Sequence, residues 1–269
     1  MGLLTMLRAE FTFVYADIFR RKSLLAMLMI YPYILTLFIL LIGTSMGSPA
    51  VFTEKVGIDP VPFFIVSSFV LISVLGVVDD VLWRPIFDEW MGTLSYVISS
   101  PTSRVIHYLA IPIPRLSLVI LSCSASVFPV LIYYYGITGL FKAFGVLGLA
   151  ILSSLLLTTL AMVIAGLVFT LAGESWRILN IVRPLLLILL GAFYPRYMMP
   201  LTAQVMSWLV PSSHTVELLQ RLLIGLSTET TYVLMLLGAA VALAIVYTPL
   251  GNKAIRHWEK KKLTEGVST

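Results

Sequence analysis

Residues able to do chemistry are few and scattered in this chain of 269 residues. The one cysteine, Cys123, lies in an apolar run, which excludes a disulfide framework and a cysteine-based metal cluster. Three histidines are spread along the chain, at His107, His214 and His257. This spacing does not favour a zinc site. Asp79 and Asp80 follow an apolar run and indicate a membrane-boundary pair rather than an ion relay, because helix ends commonly carry charge.

Motifs for ATP hydrolysis, zinc-dependent hydrolysis and dinucleotide binding are absent from the sequence. It contains no GxxxxGK[ST] phosphate loop, no HExxH, and no GxGxxG between a strand and a helix. The chain has no site of its own for ATP and Mg, so an ATP-driven process would need a partner that binds both. The sequence predicts a protein that is not an enzyme.

One segment, 83–104, has a pattern typical of an amphipathic helix between two apolar runs. Pro85 suits a first helical turn and Pro101 ends the helix. At about 100° per residue, one face is apolar, with Trp83, Ile86, Phe87, Trp90, Leu94, Val97 and Ile98. The opposite face carries Asp88, Gly92, Ser95 and Ser99. We expect either a loop that merely connects two spans, or a helix on the inner membrane surface that binds a cytoplasmic partner.

Two stretches of the sequence resemble the ABC-2 type exporter permeases. Residues 87–104 read FDEWMGTLSYVISSPTSR, similar to that family's acidic residue before Gly-Thr-Leu, an apolar stretch and Ser/Thr-Pro-x-Ser-Arg. Residues 209–225 resemble its external Pro-x₅-Glu-x₃-Arg pattern. Ser95 departs from the family, in which Glu often follows Gly-Thr-Leu, and residues 190–195 match only part of the run before the external segment.

The resemblance implies a permease subunit that moves a substrate outward with ATP hydrolysed by a separate subunit. It implies that the ATPase docks through Asp88, Glu89, Gly92, Thr93, Leu94, Ser95, Pro101 and Arg104. A second permease subunit would complete a homodimer or heterodimer. External gating would involve Pro211, Glu217 and Arg221. Glu217 and Arg221 are four residues apart, so a simple surface ion pair remains the alternative.

The composition predicts that the chain that carries these motifs is a membrane protein. Hydrophobic residues make up 59% of the chain and charged residues 12%, with a mean hydropathy of +1.00, which excludes an ordinary soluble domain. Apolar runs predict six transmembrane helices in one all-α permease domain, 1–269. The predicted spans are Leu24–Thr44, Pro60–Val78, Leu116–Tyr135, Phe144–Ala172, Ile178–Tyr194 and Thr230–Pro249.

The distribution of Lys and Arg predicts the topology. With six spans, 14 of the 18 basic residues lie on one side, which predicts a cell-membrane protein with both termini cytoplasmic. This excess of basic residues on the predicted cytoplasmic side also explains the net charge of +5. Binding of nucleic acid is not needed to account for it. The predicted segments outside the spans are an amphipathic interfacial helix at 1–22, the coupling helix at 83–104, an external segment at 196–229 and a basic tail at 251–269. Within the external segment, the apolar run 198–210 suits an interfacial or a re-entrant helix.

Other functional interpretations stay open at this point. An ATP-independent secondary transporter would often show inverted repeats with broken helices, and no convincing repeat is present. A membrane anchor or sensor subunit could use the same helix to hold a cytoplasmic protein.

Overall fold

The computed structural model describes residues 3–46, 49–171, 175–224 and 229–265. Across these ranges the chain is helical and has no strand, which confirms the all-α class. The helices are α1 (Leu3–Arg20), α2 (Lys22–Met46), α3 (Pro49–Val56), α4 (Pro60–Trp90), α5 (Leu94–Ser99), α6 (Arg104–Ala110), α7 (Pro112–Tyr135), α8 (Ile137–Leu171), α9 (Ser175–Leu190), α10 (Leu201–Ser207), α11 (Pro211–Ile224) and α12 (Thr230–Glu265). One 3₁₀ turn, Arg196–Met198, precedes α10.

Five helical segments in the described part of the chain are long and apolar enough to cross a membrane. They are Lys22–Thr44, Pro60–Trp90, Arg104–Tyr135, Ile137–Thr170 and Thr230–Thr264, as expected of a multi-pass membrane protein. The predicted span Ile178–Tyr194 corresponds to α9, which has 16 residues. Such a helix is about 24 Å long, shorter than a hydrocarbon core of about 30 Å. The six-span layout stays a prediction.

Two helices continue well beyond the ends of the predicted spans. α4 runs to Trp90 rather than Val78, and α12 runs to Glu265 rather than Pro249. Both pass through a proline, Pro85 and Pro249, without ending. The predicted basic tail is therefore, as far as Glu265, the last part of α12, and the rest of it lies outside the described residues. The charged residues that suggested helix ends instead form ion pairs, most of them with residues of neighbouring helices.

The core is built around α4 and α8. Along most of α4 both faces are buried, with Phe63, Val66, Phe69, Val74 and Val78 almost fully enclosed. By contrast, α2 exposes much of its apolar surface, including Ile34, Leu37, Phe38 and Leu41. Exposed apolar side chains in such number need a non-aqueous environment, which a lipid bilayer supplies.

α8 and α12 approach each other closely at two glycines. A Cβ at Gly166 would lie 2.6 Å from backbone atoms of Ala254 and Ile255, and one at Gly251 would lie 2.8 Å from the Cβ of Met162. Small residues permit this close approach of two helix backbones in a membrane. The glycines therefore fix the distance between α8 and α12.

This packing predicts opposite effects for two glycine substitutions in α8. We expect Gly166→Ala to lower the free energy of unfolding by about 1–3 kcal/mol, because its methyl group must displace the α12 backbone. Gly148→Ala is the matched control, since a Cβ there meets nothing within 4 Å. It should be neutral or stabilising by about 0.5–1 kcal/mol. Thermal unfolding of both variants in detergent tests this, and equal stabilities would contradict the close contact.

Candidate functional site

The segment that resembles the ABC-2 hallmark contains a sharp break. α4 ends at Trp90, Gly92 adopts φ +67°, and α5 begins at Leu94. The backbone N–H of Thr93 donates to the carbonyl of Asp88 at 2.8 Å, which closes the end of α4. Glycine tolerates this left-handed conformation, and it commonly terminates helices. The prediction of one continuous helix within 83–104 was therefore wrong: the segment is the end of α4, a turn, α5 and a short loop.

A continuous set of exposed residues surrounds α5. Trp90 is 81% exposed and Tyr96 is 76% exposed, far more than helix packing would leave. We call this set the α5 surface: Trp90, Met91, Gly92, Thr93, Ser95, Tyr96, Ser99 and Pro101. Four of the predicted docking residues, Gly92, Thr93, Ser95 and Pro101, belong to it. Trp90, which the helical projection places on one apolar face with Leu94, is exposed, whereas Leu94 is buried.

Asp88 is buried in an ion cluster, where an arginine matches its charge, and its role in docking stays a prediction. Arg84 donates through Nε to Asp88 at 3.2 Å and through both terminal nitrogens to the Glu10 carboxylate, at 2.9 and 3.1 Å. Thr93 Oγ1 donates to the other Asp88 oxygen at 3.1 Å. Burial raises the pKa of the Glu10 carboxyl above its ordinary value, and the charge of Arg84 opposes this. This Arg84 cluster (Glu10, Arg84, Asp88, Thr93) joins α1, α4 and the turn before α5.

A second buried ion pair holds the other end of α5. Arg104 Nε lies 2.6 Å from Glu259 Oε1 on α12. The two terminal nitrogens of Arg104 donate to the carbonyls of Ile98 at 2.7 Å and Thr102 at 3.3 Å. Cationic side chains stabilise the otherwise unpaired carbonyls at a helix C-terminus. The Arg104–Glu259 pair therefore connects α5 and its following loop to α12, and Arg104 acts from within rather than on the surface.

The remaining predicted coupling residue, Glu89, is paired at the surface. Its carboxylate lies 2.9 Å from Lys262 Nζ, and both side chains are partly exposed. Nearby, Asp79 and Asp80 have arginine partners in Arg183 and Arg115. Every carboxylate in the predicted boundary region of α4 thus has a cationic neighbour.

Sequence reasoning missed three members of these ion pairs, Glu10, Arg84 and Glu259. A signal for Glu10 existed, since it is a carboxylate on the same helical face as the apolar residues Leu7 and Val14. Glu259 likewise is the one acidic residue between Lys253 and Lys262. An isolated carboxylate among apolar or basic neighbours indicates a buried ionic partner elsewhere in the chain.

At the other end of the molecule, α11 lies alongside the first half of α8. Ser212 Oγ, in its first turn, donates to the carbonyl of Ser153 at 2.6 Å, near the middle of α8. At the other end of α11, Lys142 Nζ donates to the carbonyl of Leu223 at 2.6 Å, one turn and a half into α8. α11 thus reaches about half the length of a candidate span. Residues 198–210 do not form one helix: α10 begins directly after Pro200 and has only seven residues, and the next helix starts at Pro211.

A buried arginine organises the contacts among the 3₁₀ turn, α11 and the start of α12. Arg196 lies 3.0 Å from Glu217 Oε2 and donates to Ser213 Oγ at 2.9 Å. Its guanidinium also stacks 4.8 Å from the ring centroid of Trp208. The Arg196 cluster consists of Arg196, Trp208, Ser213, His214, Glu217, Arg221 and Tyr232.

Glu217 belongs to more than the predicted pair with Arg221. Its Oε1 accepts from Arg221 at 3.1 Å and from the Tyr232 hydroxyl at 2.6 Å, while Oε2 faces Arg196. The pair is therefore part of a network that reaches from the 3₁₀ turn through α11 to the start of α12. Pro211, the third predicted gate residue, begins α11 and is buried. Arg196 was missed because nothing local distinguishes it from a surface arginine.

The first site prediction concerns the buried pair at α5. Glu259→Gln leaves the buried Arg104 without its counter-charge, which typically costs about 3–5 kcal/mol. Glu89→Gln is the matched control, and its exposed pair should contribute less than about 1 kcal/mol. Thermal unfolding of the purified variants measures both. Similar losses for the two would show that the Arg104–Glu259 pair does not hold α5.

The second site prediction separates the two arginines that share Glu217. Arg196→Met leaves Ser213 Oγ and His214 Nδ1 without the guanidinium that contacts them, and we expect a loss of about 1–3 kcal/mol. Arg221→Met removes a half-exposed i,i+4 pair and should cost less than about 1 kcal/mol. Limited proteolysis within 196–224, together with thermal unfolding, checks the order. A larger effect at Arg221 would restore the simple surface-pair interpretation.

Comparisons with family models, curated proteins and solved structures find no match to this chain. The similarity to ABC-2 permeases therefore rests on the two motifs alone. Its value for function depends on where the structure places the residues of these motifs.

Proposed function

We propose that this chain is the membrane permease subunit of an ABC-2 type exporter, which moves a substrate outward using ATP hydrolysed by a separate subunit. The observation that carries the proposal is the α5 surface. It combines small residues, which permit close approach, with two aromatic side chains left largely exposed. Aromatic residues surrounded by small neighbours are typical of the centre of a protein interface.

The ionic contacts around α5 support a role in transmitting force. The Arg84 cluster links its beginning to α1 and α4, and the Arg104–Glu259 pair links its end to α12. A helix held at both ends by buried ion pairs does not move independently of those helices. In the proposed mechanism, closure of the ATPase dimer displaces α5 and thereby α1, α4 and α12 together.

Through α12 and α8, movement of α5 would also reach the external segment. α12 packs directly on α8 through Gly166 and Gly251, and α8 carries α11 through Ser153 and Lys142. Tyr232, near the start of α12, donates to Glu217 in the Arg196 cluster. Displacement of α12 would therefore change both contacts of α11, and the Arg196 cluster would act as the external gate.

Two partners would account for the missing phosphate loop and for the exposed apolar surface of this chain. ATP and Mg bind the partner ATPase, since this sequence has no phosphate loop. A second permease subunit would cover part of the apolar surface that α2 and α9 expose, and lipid the rest. The proposed layout has six spans and both termini in the cytoplasm.

Site-specific photocrosslinking tests the proposal. A benzophenone amino acid replaces Tyr96 on the α5 surface, or Tyr133 at the opposite end of α7 as the control, which is 85% exposed. After irradiation of the producing cells, we expect the Tyr96 variant alone to crosslink a protein whose peptides contain a phosphate-loop motif. The purified complex should hydrolyse ATP, whereas the chain alone should not.

Two outcomes would contradict the proposal. One is crosslinking of the same ATPase from Tyr133 and not from Tyr96. The other is transport of cargo in liposomes that contain this chain alone with an ion gradient, which would support a secondary transporter. An ATPase-free partner crosslinked at Tyr96, without transport, would support the anchor or sensor interpretation.

A further inference from the structure

One side of α12 carries a row of cations beyond the apolar part of the helix. Lys253, Arg256 and Lys260 follow one another at intervals of three and four residues, which places them on the same side of the helix. All three side chains are exposed. Within the described ranges of the chain, none of them has a carboxylate partner. We call these three residues the basic face of α12.

The side of α12 that faces the rest of the protein is organised differently. Lys262 pairs with Glu89 at 2.9 Å, and Glu259 pairs with Arg104 at 2.6 Å. Trp258, between them, is 2% exposed. The charges that α12 turns toward the protein are therefore matched within the chain, whereas the counter-charge for the basic face has to come from outside it.

The basic face continues the lipid-facing side of the same helix. Ile245 is 67% exposed, Val246 is 54% exposed, and Pro249 is exposed as well. At 100° per residue, these three residues and the basic face lie within an arc of about 100°. Exposed apolar side chains of a membrane span contact lipid acyl chains, so the next groups along this side of the helix meet lipid headgroups. This continuity favours lipid over a docked protein as the source of the counter-charge.

The position of the basic face along the helix agrees with this environment. The apolar part of α12, Thr230–Pro249, is about 30 Å long, which equals the thickness of the hydrocarbon core. Lys253 and Arg256 lie about 6 and 10 Å beyond it, within reach of a headgroup layer about 5–8 Å thick. Lys260 lies about 6 Å further on, still close to one Debye length from the headgroups.

We infer that the basic face of α12 binds the headgroups of anionic phospholipids, in the leaflet at the C-terminal end of this helix. The phosphate of such a lipid supplies the missing negative charge, whereas a zwitterionic headgroup also carries a cation that offsets it. The inference requires that α12 crosses the bilayer, and it does not depend on the ABC-2 assignment. Bound lipid would hold the end of α12 from one side while Glu259 and Lys262 hold it from the other.

Photocrosslinking to lipid tests the inference on the full chain in nanodiscs of phosphatidylcholine with phosphatidylglycerol as the minor component. A benzophenone amino acid replaces Val246, on the lipid-facing side about 10 Å before the basic face. The control position is Leu121 on α7, which is 68% exposed. It lies about 9 Å from Arg115, whose charge is matched by Asp80. Mass spectrometry of the adducts measures which share of the crosslinked lipid is phosphatidylglycerol.

The two positions probe the same leaflet. Arg104, in the helix directly before α7, pairs with Glu259 near the end of α12, so the start of α7 and the end of α12 lie on one side of the bilayer. We expect the share of phosphatidylglycerol at Val246 to exceed the supplied share about twofold at low salt. At Leu121 it should equal the supplied share. The excess at Val246 should fall at high salt, because exposed charges are then screened.

Three variants assign the excess to the basic face. The triple variant Lys253→Gln, Arg256→Gln and Lys260→Gln should return the share at Val246 to the supplied value. Exchange of lysine and arginine at the same three positions keeps the charge and should keep the excess. Lys262→Gln removes one cation from the protein-facing side of the same helix and should also keep it.

Several results would overturn the inference. They are equal shares at Val246 and Leu121, an excess that survives in the triple variant, and an equal loss in Lys262→Gln. Thermal unfolding in pure phosphatidylcholine should be unchanged by the triple variant, because its side chains are exposed and unpaired. If that variant is unstable, Arg256→Gln alone replaces it, with a partial loss of the excess expected.

The same variants separate this inference from the proposed function. A triple variant that keeps the lipid excess but loses the ATPase crosslinked at Tyr96 would make the basic face a protein-binding surface, and the inference would fail. If the wild-type chain crosslinks no ATPase and the lipid excess depends on the basic face, the proposed function fails while the inference stands.

Discussion

Burial of arginine beside carboxylate is the interaction on which the arrangement of α5 depends. A charge removed from water is costly unless a counter-charge and hydrogen bonds replace its hydration. Arg84 and Arg104 meet this requirement with carboxylates from distant parts of the chain, Glu10 and Glu259. Each pair is satisfied in only one relative position of its helices. The ion pairs therefore fix where α5 lies, although their net contribution to stability is small compared with that of the apolar core.

The Arg196 cluster compensates its buried charges with a different set of groups. Arg196 combines one carboxylate, one hydroxyl and the face of Trp208, and its Nε remains without a partner. Glu217 is shared between two arginines and Tyr232. A network that divides one carboxylate among three donors holds each of them less firmly than a dedicated pair would. This contrast agrees with the proposed roles, in which α5 transmits force and the Arg196 cluster opens.

Much of the architecture could be predicted from the sequence, because apolar runs long enough to cross a bilayer have few alternatives. The helix ends could not be predicted. A charged residue normally indicates that a span has reached water, but the helix continues past it when a neighbouring helix supplies an oppositely charged partner. Asp88 shows this most clearly: its sequence pattern placed it on a polar face, and Arg84 and Thr93 bury it. The helical projection placed Gly92 and Ser95 on the polar face, and both are exposed, but the turn at Gly92 was not predicted. Arg196 depends on contacts that no local pattern encodes, and the isolation of Glu259 among basic residues indicates burial without identifying Arg104 as its partner.

The distribution of burial on the two sides of Gly92 explains how one short segment can be both firmly held and available for binding. The positive φ of Gly92 turns the chain so that Asp88 points back into the protein while Thr93 and Ser95 face outward. A residue with a Cβ would be strained in that conformation. Without the turn, α4 would continue, and the charges that hold the segment would share a face with the small residues that leave room for a partner. The Gly-Thr-Leu triplet therefore has a structural reason that is independent of any family: glycine makes the turn, threonine bonds to Asp88, and the buried Leu94 packs α5 against the core.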